Sequence, residues 1–431
     1  MAATPVPSPA RSRPPETGRA ARSGSAALAA LLAAAAVAGC GDAAAPAGPG
    51  LRIAPLEAPA VPGAALPNLA ALPDGGVALS WVEGDGGGES RLAFAVLPGG
   101  GEAAWGRAGE VARGEGWFVN WADFPSLAAL PDGTWMAHWL RRSGEGTYDY
   151  EVRFALSRDG GASWSEPAVL HEDRRPAEHG FVSLAPLAGP EGPRFGALWL
   201  DGRHAAGLEG SMALYYRTVA PDGGLGPEVE LDPRVCDCCQ TALQALPGGG
   251  LVAAWRDRSE RETRDVAGAR LTREGWSAPR PVHPDGWEIP GCPVNGPSLA
   301  AGPRALGAAW YTEAGDEPRV LFARSTDGGA SFGEPRQVDA GEAPRGRVDL
   351  VAWPDGGWVV SWLEAAGEGT AEWRVRRLTP DGRPRPFLAV AAVPDERRSG
   401  FLRLERGAGG AVLAWTEPGE PPRIRTARLL D

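Results

Sequence analysis

Lysine is absent from this sequence of 431 residues, and its 43 basic residues are all arginine. We attribute the absence to GC-rich codon usage. The 54 acidic residues outnumber the arginines, which gives a formal net charge of −11 at pH 7. Because neutralising a phosphate backbone requires a basic face, this balance excludes a general nucleic-acid-binding protein.

Long hydrophobic runs are scarce as well, and the longest lies near the N-terminus. Residues 26–38 form an apolar run of about a dozen residues, which is too short to cross a membrane. No later segment could span one either. The run is preceded by a basic region, which contains Arg11, Arg13, Arg19 and Arg22. A basic region followed by a short apolar run predicts an export signal.

The end of this apolar run, Val37-Ala38-Gly39-Cys40, resembles the lipobox of bacterial lipoproteins. The resemblance implies cleavage before Cys40 and attachment of lipid, such as palmitate, to that residue. It predicts a signal peptide over 1–39, a lipidated tether over 40–50 and a folded domain over 51–431. The expected location is the cell envelope, anchored to a membrane, and Gly41 in place of aspartate favours the outer membrane. An ordinary secretory signal with a chance cysteine is the alternative.

Glycine and proline, in contrast, are abundant, at 61 and 42 residues. The segment 124–140, FPSLAALPDGTWMAHWL, shows why. Apolar residues alternate on both sides of Leu130-Pro131-Asp132-Gly133, and period-two alternation indicates strands. Proline, aspartate and glycine in this order favour a tight turn, so the segment predicts a β-hairpin.

This hairpin occurs seven times in all, and each second strand ends on or beside a tryptophan. The copies cover 66–83, 124–140, 180–200, 241–256, 297–311, 348–364 and 401–417. The tryptophans are Trp81, Trp139, Trp199, Trp255, Trp310, Trp362 and Trp415. They are spaced by roughly fifty to sixty residues, at or just above the upper end of the range for propeller repeats.

A third strand follows each hairpin, and a fourth usually comes next, as at 168–170 and 336–338. Four strands per repeat are typical of a propeller blade. The last repeat has only three, so the strand near Ile53 is expected to supply the fourth and close the ring. The sequence predicts an all-β, monomeric β-propeller of seven four-stranded blades, or of six if the segment 297–311 does not form a blade.

Two turns between third and fourth strands carry a more specific pattern. They read SRDGGASW at 157–164 and STDGGASF at 325–332. Both match the Asp-box, S-x-D-x-G-x-x-W/F, so the chain resembles the sialidase-like propeller superfamily. The resemblance gives Asp159, Trp164, Asp327 and Phe332 a structural role, in which the aspartate accepts hydrogen bonds from its turn and the aromatic residue wedges beside the sheet.

Propeller topology separates the connections onto two faces. We call the strands of a blade A to D in chain order. The A–B and C–D turns share one face, the turn face, and the B–C and D–A connections share the other, the loop face. Ligands of propellers usually bind where the loop-face connections converge.

Besides Cys40, the predicted mature chain has only four cysteines, which lie in two loop-face connections that lead into neighbouring blades: Cys236, Cys238, Cys239 and Cys292. An exported protein favours disulfides. Of the three possible pairings, we favour Cys236–Cys239 with Cys238–Cys292, because a bond between adjacent residues would be strained. A soft-metal site for copper(I) or zinc is the alternative.

Arginines and other polar residues also cluster on this face. Arginine forks bind carboxylates bidentately, so the loop face is expected to bind a glycan or another anionic ligand. The candidate residues are Arg141, Arg203, His204, Arg256, Arg258, Asn295 and Arg347. Ion pairs within the rim, such as Arg256 or Arg258 with Asp257 or Asp201, are the alternative.

The superfamily resemblance implies a test for sialidase activity. Such an enzyme needs three arginines, an acid–base aspartate and a tyrosine paired with glutamate. Asp123 is the candidate acid, and Tyr311 with Glu313 the candidate nucleophile pair. No catalytic motif matches cleanly, so a non-catalytic ligand-binding propeller is preferred and an exo-α-sialidase is the alternative.

Overall fold

The computed structural model describes residues 50–100, 104–189, 192–205 and 210–431. The predicted signal peptide, Cys40 and all of the tether except Gly50 lie outside these residues and stay predictions. Among the described residues, no helix has the length and apolar character needed to cross a membrane.

The described chain folds into seven antiparallel sheets. Neighbouring sheets touch through their first strands, and the seventh touches the first, so the sheets form a closed ring. Their strands, in chain order, are as follows. Blade 1 contains β2 (Ala64–Ala71), β3 (Val77–Glu83), β4 (Ser90–Leu97) and β5 (Gly109–Gly114). Blade 2 contains β6 (Ser126–Ala129), β7 (Trp135–Arg142), β8 (Tyr150–Ser157) and β9 (Ala168–Val169). Blade 3 contains β10 (His179–Gly189), β11 (Gly192–Asp201), β12 (Met212–Val219) and β13 (Val229–Val235).

The remaining blades follow the same plan. Blade 4 contains β14 (Ala242–Ala245), β15 (Leu251–Arg256) and β16 (Val266–Thr272), with two short outer strands, β17 (Gly275–Trp276) and β18 (Arg280–Pro281). Blade 5 contains β19 (Ser298–Ala301), β20 (Leu306–Thr312), β21 (Arg319–Ser325) and β22 (Arg336–Ala340). Blade 6 contains β23 (Pro344–Ala352), β24 (Trp358–Gly367), β25 (Thr370–Leu378) and β26 (Pro384–Pro394). Blade 7 contains β27 (Arg403–Gly407), β28 (Gly410–Glu417) and β29 (Arg423–Leu430). Two 3-10 turns, Ala314–Asp316 and Arg397–Ser399, lie in loops.

The ring closes through the N-terminal strand, as predicted. Strand β1 (Arg52–Leu56) pairs antiparallel with β29, from Arg52 opposite Leu430 to Leu56 opposite Thr426. It supplies the outer strand of blade 7, which removes an open sheet edge. The segment 297–311 also forms its blade, so seven blades are confirmed.

The core lies between blades, and the repeated tryptophans form its centre. All seven are buried, from fully enclosed Trp81 to Trp415 at 8% exposure. Each packs against apolar residues of the preceding blade; Trp81, for example, shares a cluster with Val412 and Ala414 of blade 7. Burial of one large aromatic ring per interface explains why the hairpin repeats this residue.

The two Asp-boxes fold as their turns require. Asp159 accepts hydrogen bonds at 2.8 Å from the Ser157 hydroxyl and from the Ser163 backbone amide. The Ser163 hydroxyl is the largest cause that lowers the pKa of Asp159 to about 2. Trp164 meets Phe94 of blade 1 edge-on at 6.0 Å. Asp327 repeats the pattern with Ser325 and Ser331, and Phe332 packs beside the core between blades 4 and 5.

Candidate functional site

Two carboxyl groups on the loop face, one buried and one half-buried, share one tyrosine. The hydroxyl of Tyr150 lies 3.0 Å from Asp123 Oδ2 and 3.0 Å from Glu178 Oε1. Asp123 leads into blade 2, Glu178 leads into blade 3, and Tyr150 begins β8. A hydroxyl carries one proton and can donate only once. The second contact therefore requires a carboxylic acid as donor, so the geometry fits a cluster in which at least one carboxyl is protonated.

The start of β10 is shaped to receive Asp123. Register slips between Gly180 and Ser183, and Phe181 adopts a φ of 53° in the left-handed region. This bend aims the Phe181 amide at Asp123 Oδ1, to which it donates at 2.8 Å. A Cβ atom on Gly180 would lie 1.9 Å from Asp123 Oδ2. Glycine is therefore required where the backbone approaches the carboxyl group.

Burial sets the protonation of this cluster. It raises the pKa of Asp123 to about 7 and that of Glu178 to about 8. Burial also raises the pKa of Tyr150 well above its usual value. Desolvation disfavours the charged form of each group. Near neutral pH the cluster consequently offers hydroxyl donors and acceptors rather than a fixed pair of negative charges.

An aromatic ladder connects this cluster with the surface. The ring of Phe118 stacks on Tyr150 with centroids 4.0 Å apart and an interplanar angle of 9°. Tyr148, which is 57% exposed, meets the other side of Phe118 at 6.4 Å. The guanidinium of Arg142 lies 5.6 Å from the Phe118 ring. The ladder forms a partly exposed aromatic surface beside two carboxyl groups.

The cluster also borders the central channel. A cavity of about 350 Å³ runs along the A strands and includes Asp123 in its wall. The wall is polar, with contributions from Asn68, Ser126, Ser183, Gln244, Asp349 and Arg403. Trp121, which precedes β6, stacks on Phe401 with centroids 6.1 Å apart, and Phe124 meets the same ring at a tilt of 56° with centroids 5.5 Å apart. Phe124 and Phe401 also line the cavity.

The two cysteine loops meet on the loop face, as predicted. Gly296 donates its amide to Gln240 Oε1 at 3.3 Å, and a Cβ atom on Gly296 would lie 2.0 Å from the Gln240 carbonyl oxygen. Cys236 Sγ lies 3.2 Å from Cys239 Sγ and 4.0 Å from Cys238 Sγ. A disulfide bond measures about 2.05 Å. All four cysteines are free thiols, and neither predicted disulfide is present in the structure.

The thiols nevertheless form an activated cluster. The fully buried Cys236 accepts a hydrogen bond from Arg264 at 3.2 Å. Hydrogen bonds from the Cys238 and Cys239 thiols, together with the charge of Arg264, hold the pKa of Cys236 well below its usual value. A hydrogen bond from Cys238 likewise lowers the pKa of Cys292. Thiolate is the form that binds metals.

Two of the arginines that were predicted to bind a ligand form ion pairs within the protein instead. Arg203 pairs with Asp201 at 2.6 Å and with Glu228 at 2.8 Å. Arg258 pairs with Asp237 at 3.0 Å and with Glu262 at 2.9 Å. These pairs follow the ion-pair alternative, although with other partners than those expected. Both guanidinium groups already have carboxylate partners.

Arg256 and Arg347 bind backbone carbonyls instead. Arg256 is 1% exposed and donates to the carbonyls of Asn295, Arg264 and Tyr311 at 2.6–2.8 Å. Arg347 donates to the carbonyls of Glu396 and Gly400. Their role in this structure is to hold loops together.

The other candidate residues are dispersed. His204 Nε2 lies 3.3 Å from the Tyr215 hydroxyl and 3.5 Å from Glu230. Asn295 accepts a hydrogen bond from the Arg347 amide, while Arg141 is exposed at the end of β7. The Tyr311 hydroxyl is 3.5 Å from Glu313, a marginal hydrogen bond. Asp123 instead meets Tyr150.

Comparisons with known proteins agree with the fold. No protein-family model and no curated protein matches the chain. A protein of unknown function from Dyadobacter fermentans matches with a TM-score of 0.52 and 14% identity, over 89% of this chain and 99% of that one. The NanB sialidase of Streptococcus pneumoniae matches at 0.44 and 9% identity, over 88% and 94%. An α-L-arabinanase of Penicillium chrysogenum matches at 0.44 and 14%, over 88% and 96%. At 14% identity the Dyadobacter likeness extends to the fold alone, and the chain's own seven closed four-stranded blades are those of a β-propeller.

Proposed function

We propose that this propeller binds an uncharged, hydroxyl-rich glycan on its loop face, in the extracytoplasmic setting that the export signal predicts. The observation that carries the proposal is the Tyr150 hydroxyl held between Asp123 and Glu178 beneath an exposed aromatic ladder. Sugar rings combine apolar faces with many hydroxyl groups. A site that combines exposed aromatic surface with a few convergent polar groups fits that chemistry.

The candidate arginines already have partners within the protein, and this favours an uncharged ligand over an anionic one. Arg203 and Arg258 have carboxylate partners, and Arg256 and Arg347 are tied to carbonyls. Binding an acidic sugar with them would require breaking these contacts. The raised pKa values of Asp123 and Glu178 point in the same direction, since protonated carboxyl groups can donate to sugar hydroxyls as well as accept from them.

Binding without hydrolysis follows from the same observations. Asp123, Tyr150 and Glu178 are the residue types that a sialidase uses, but the arginines that would hold a sialic acid carboxylate are engaged. Release of a fluorophore from a sialoside, lost in Tyr150→Phe, would overturn this part of the proposal.

A panel of neutral oligosaccharides, with a sialoside and a sulfated glycan for comparison, tests the proposal by calorimetry. We expect a neutral glycan to bind and Tyr148→Ala to weaken it about tenfold, because an aromatic contact contributes about 0.5–1.5 kcal/mol. Phe387→Ala is the matched control, since Phe387 is an aromatic residue of blade 6 that is 44% exposed. Preferred binding of the charged glycans, or equal losses in both variants, would contradict the proposal.

A second candidate function is soft-metal binding by the cysteine loops. Three thiol sulfurs, those of Cys236, Cys238 and Cys239, lie within 4.8 Å of one another. The Arg264 charge favours thiolate at Cys236, and clustered thiolates select copper(I) and zinc. Cys292 is placed to serve as a fourth ligand through its contact with Cys238.

Thiol titration with metal analysis tests this second function. We expect the reduced protein to bind one copper(I) or zinc ion, and Cys236→Ser to lower the affinity at least a hundredfold. Cys292 is exposed, so Cys292→Ser should lower it less. Two disulfides in the purified protein, or four free thiols that bind no metal, would exclude the function.

A further inference from the structure

A second cluster on the loop face lies around a buried histidine of blade 3. His179 begins β10 and faces Asp201, the last residue of β11, in the strand register. Asp173 reaches the same place from the connection that follows β9. His179 Nε2 lies 3.5 Å from Asp173 Oδ2 and 3.5 Å from Asp201 Oδ1. Both His179 and Asp201 are fully buried.

The other ring nitrogen fixes the tautomer of His179. Nδ1 lies 3.1 Å from the Ala177 carbonyl oxygen and 3.2 Å from the Tyr150 carbonyl oxygen. Both partners are acceptors, so Nδ1 carries a proton. Nε2 is buried and has no hydrogen-bond partner. In the neutral ring it therefore directs a lone pair towards two carboxylate oxygens.

Such an arrangement of one nitrogen and two oxygens is suited to a cation between the three atoms. A proton on Nε2 would give charge-assisted hydrogen bonds of about 2.7–2.9 Å, shorter than the distances seen here. A metal ion fits them better. Zinc bonds to nitrogen and oxygen measure about 2.0–2.2 Å, and the edge of a tetrahedron with such bonds is about 3.3–3.6 Å.

We propose that His179 Nε2, Asp173 Oδ2 and Asp201 Oδ1 bind a divalent cation of the zinc class. One nitrogen and two oxygens make this site harder than the cysteine loops, so the two clusters differ in metal preference. Three protein ligands leave a fourth tetrahedral position for water or a ligand oxygen. Asp173, the half-buried member, marks the side from which the ion enters.

Surrounding residues hold the proposed ligands in place. Arg203 donates to both oxygens of Asp201, at 2.8 and 2.6 Å, and Trp199 donates to Oδ2 at 2.8 Å. The ring of His171 stacks on His179 with centroids 3.8 Å apart and an angle of 2°. Hydrogen-bonded and packed second partners of this kind orient metal ligands. Glu178 immediately precedes His179, so the cation would also fix this member of the carboxyl–tyrosine cluster.

Zinc titration of a full-length variant with Cys236, Cys238 and Cys239 replaced by serine tests the site apart from the cysteine loops. We expect one equivalent of Zn²⁺ to bind. His179→Gln should weaken binding at least a hundredfold, and Asp173→Asn about tenfold to a hundredfold. His204→Gln is the matched control, because His204 lies on the same face outside the trio, and it should leave the affinity unchanged.

Two spectroscopic readouts identify the ligands. Cobalt(II) in the site should show d–d bands without the charge-transfer absorption of thiolate ligands. The ¹⁵N signal of His179 Nε2 should shift on zinc addition. If His179→Gln does not fold, Asp173→Asn provides the test instead, since Asp173 lies in a loop. The proposal is overturned if the serine variant binds no zinc, if neither substitution weakens binding, or if the Nε2 signal does not shift with excess zinc.

Discussion

Replacing Arg256 by methionine is expected to lower the free energy of unfolding by about 3–5 kcal/mol. Methionine keeps the apolar stem but leaves the carbonyls of Asn295, Arg264 and Tyr311 without their donor in a buried place. Each unsatisfied buried group costs about 1–3 kcal/mol. The guanidinium also lies 4.8 Å from the Trp287 ring, and this contact is lost too. Denaturant unfolding followed by tryptophan fluorescence measures the change.

The neighbouring Arg258 provides the control. Its ion pairs with Asp237 and Glu262 are partly exposed, so Arg258→Met should cost less than about 1 kcal/mol. Arg256→Lys should remain strongly destabilised, because one ammonium cannot span three carbonyls in the way that a planar guanidinium does. A stable Arg256→Met variant that has lost ligand binding would restore the ligand-binding role predicted for this residue.

The architecture could be predicted because its signals are local and repeated. The turn at Pro131-Asp132-Gly133 and the alternation around Trp139 fix one hairpin, and seven copies then fix the ring. The closing strand could be predicted because the last repeat has only three strands, and Ile53 lies in a strand that belongs to none of the seven repeats. The antiparallel pairing of β1 with β29 confirms that reasoning.

The site was harder to predict because its contacts depend on loop conformation. An arginine at a strand end can point outwards or fold back, and sequence does not distinguish Arg141, which is exposed, from Arg256, which is buried. Tyr150, Asp123 and Glu178 come from separate connections without a shared motif. One signal was available: Glu178 precedes the first strand of blade 3, much as Asp123 precedes that of blade 2.

Two carboxyl groups of the candidate site should also control the pH dependence of stability. In the unfolded chain Asp123 and Glu178 have ordinary carboxyl pKa values near 4, whereas in the fold these pKa values are about 7 and about 8. The folded state therefore holds more protons than the unfolded state between these limits. Stability from the two groups is fully present below about pH 4 and is lost as pH rises through 7 and 8. The buried His138 and His171, whose pKa values are about 3, make stability rise with pH below pH 6.5. Above pH 6.5 they do not change its pH dependence.

Measurements between pH 6.5 and 9 consequently leave these histidines out, and the cysteine loops, which also titrate in this range, contribute equally to the wild type and the variants. We expect the wild-type chain to lose on the order of 2–3 kcal/mol from this pair over that range, as the integrated linkage relation gives. The double variant Asp123→Asn, Glu178→Gln should lose less by that amount and keep the slope from the groups that it leaves in place, such as the cysteines and Glu405, whose pKa burial raises to about 7. Asp159→Asn is the control, because hydrogen bonds lower the pKa of Asp159 to about 2 and confine its effect to acid pH. Equal slopes in the wild type and the double variant would show that the two carboxyl groups are already ionised at pH 6.5, and the shared-proton description of the Tyr150 cluster would then be wrong.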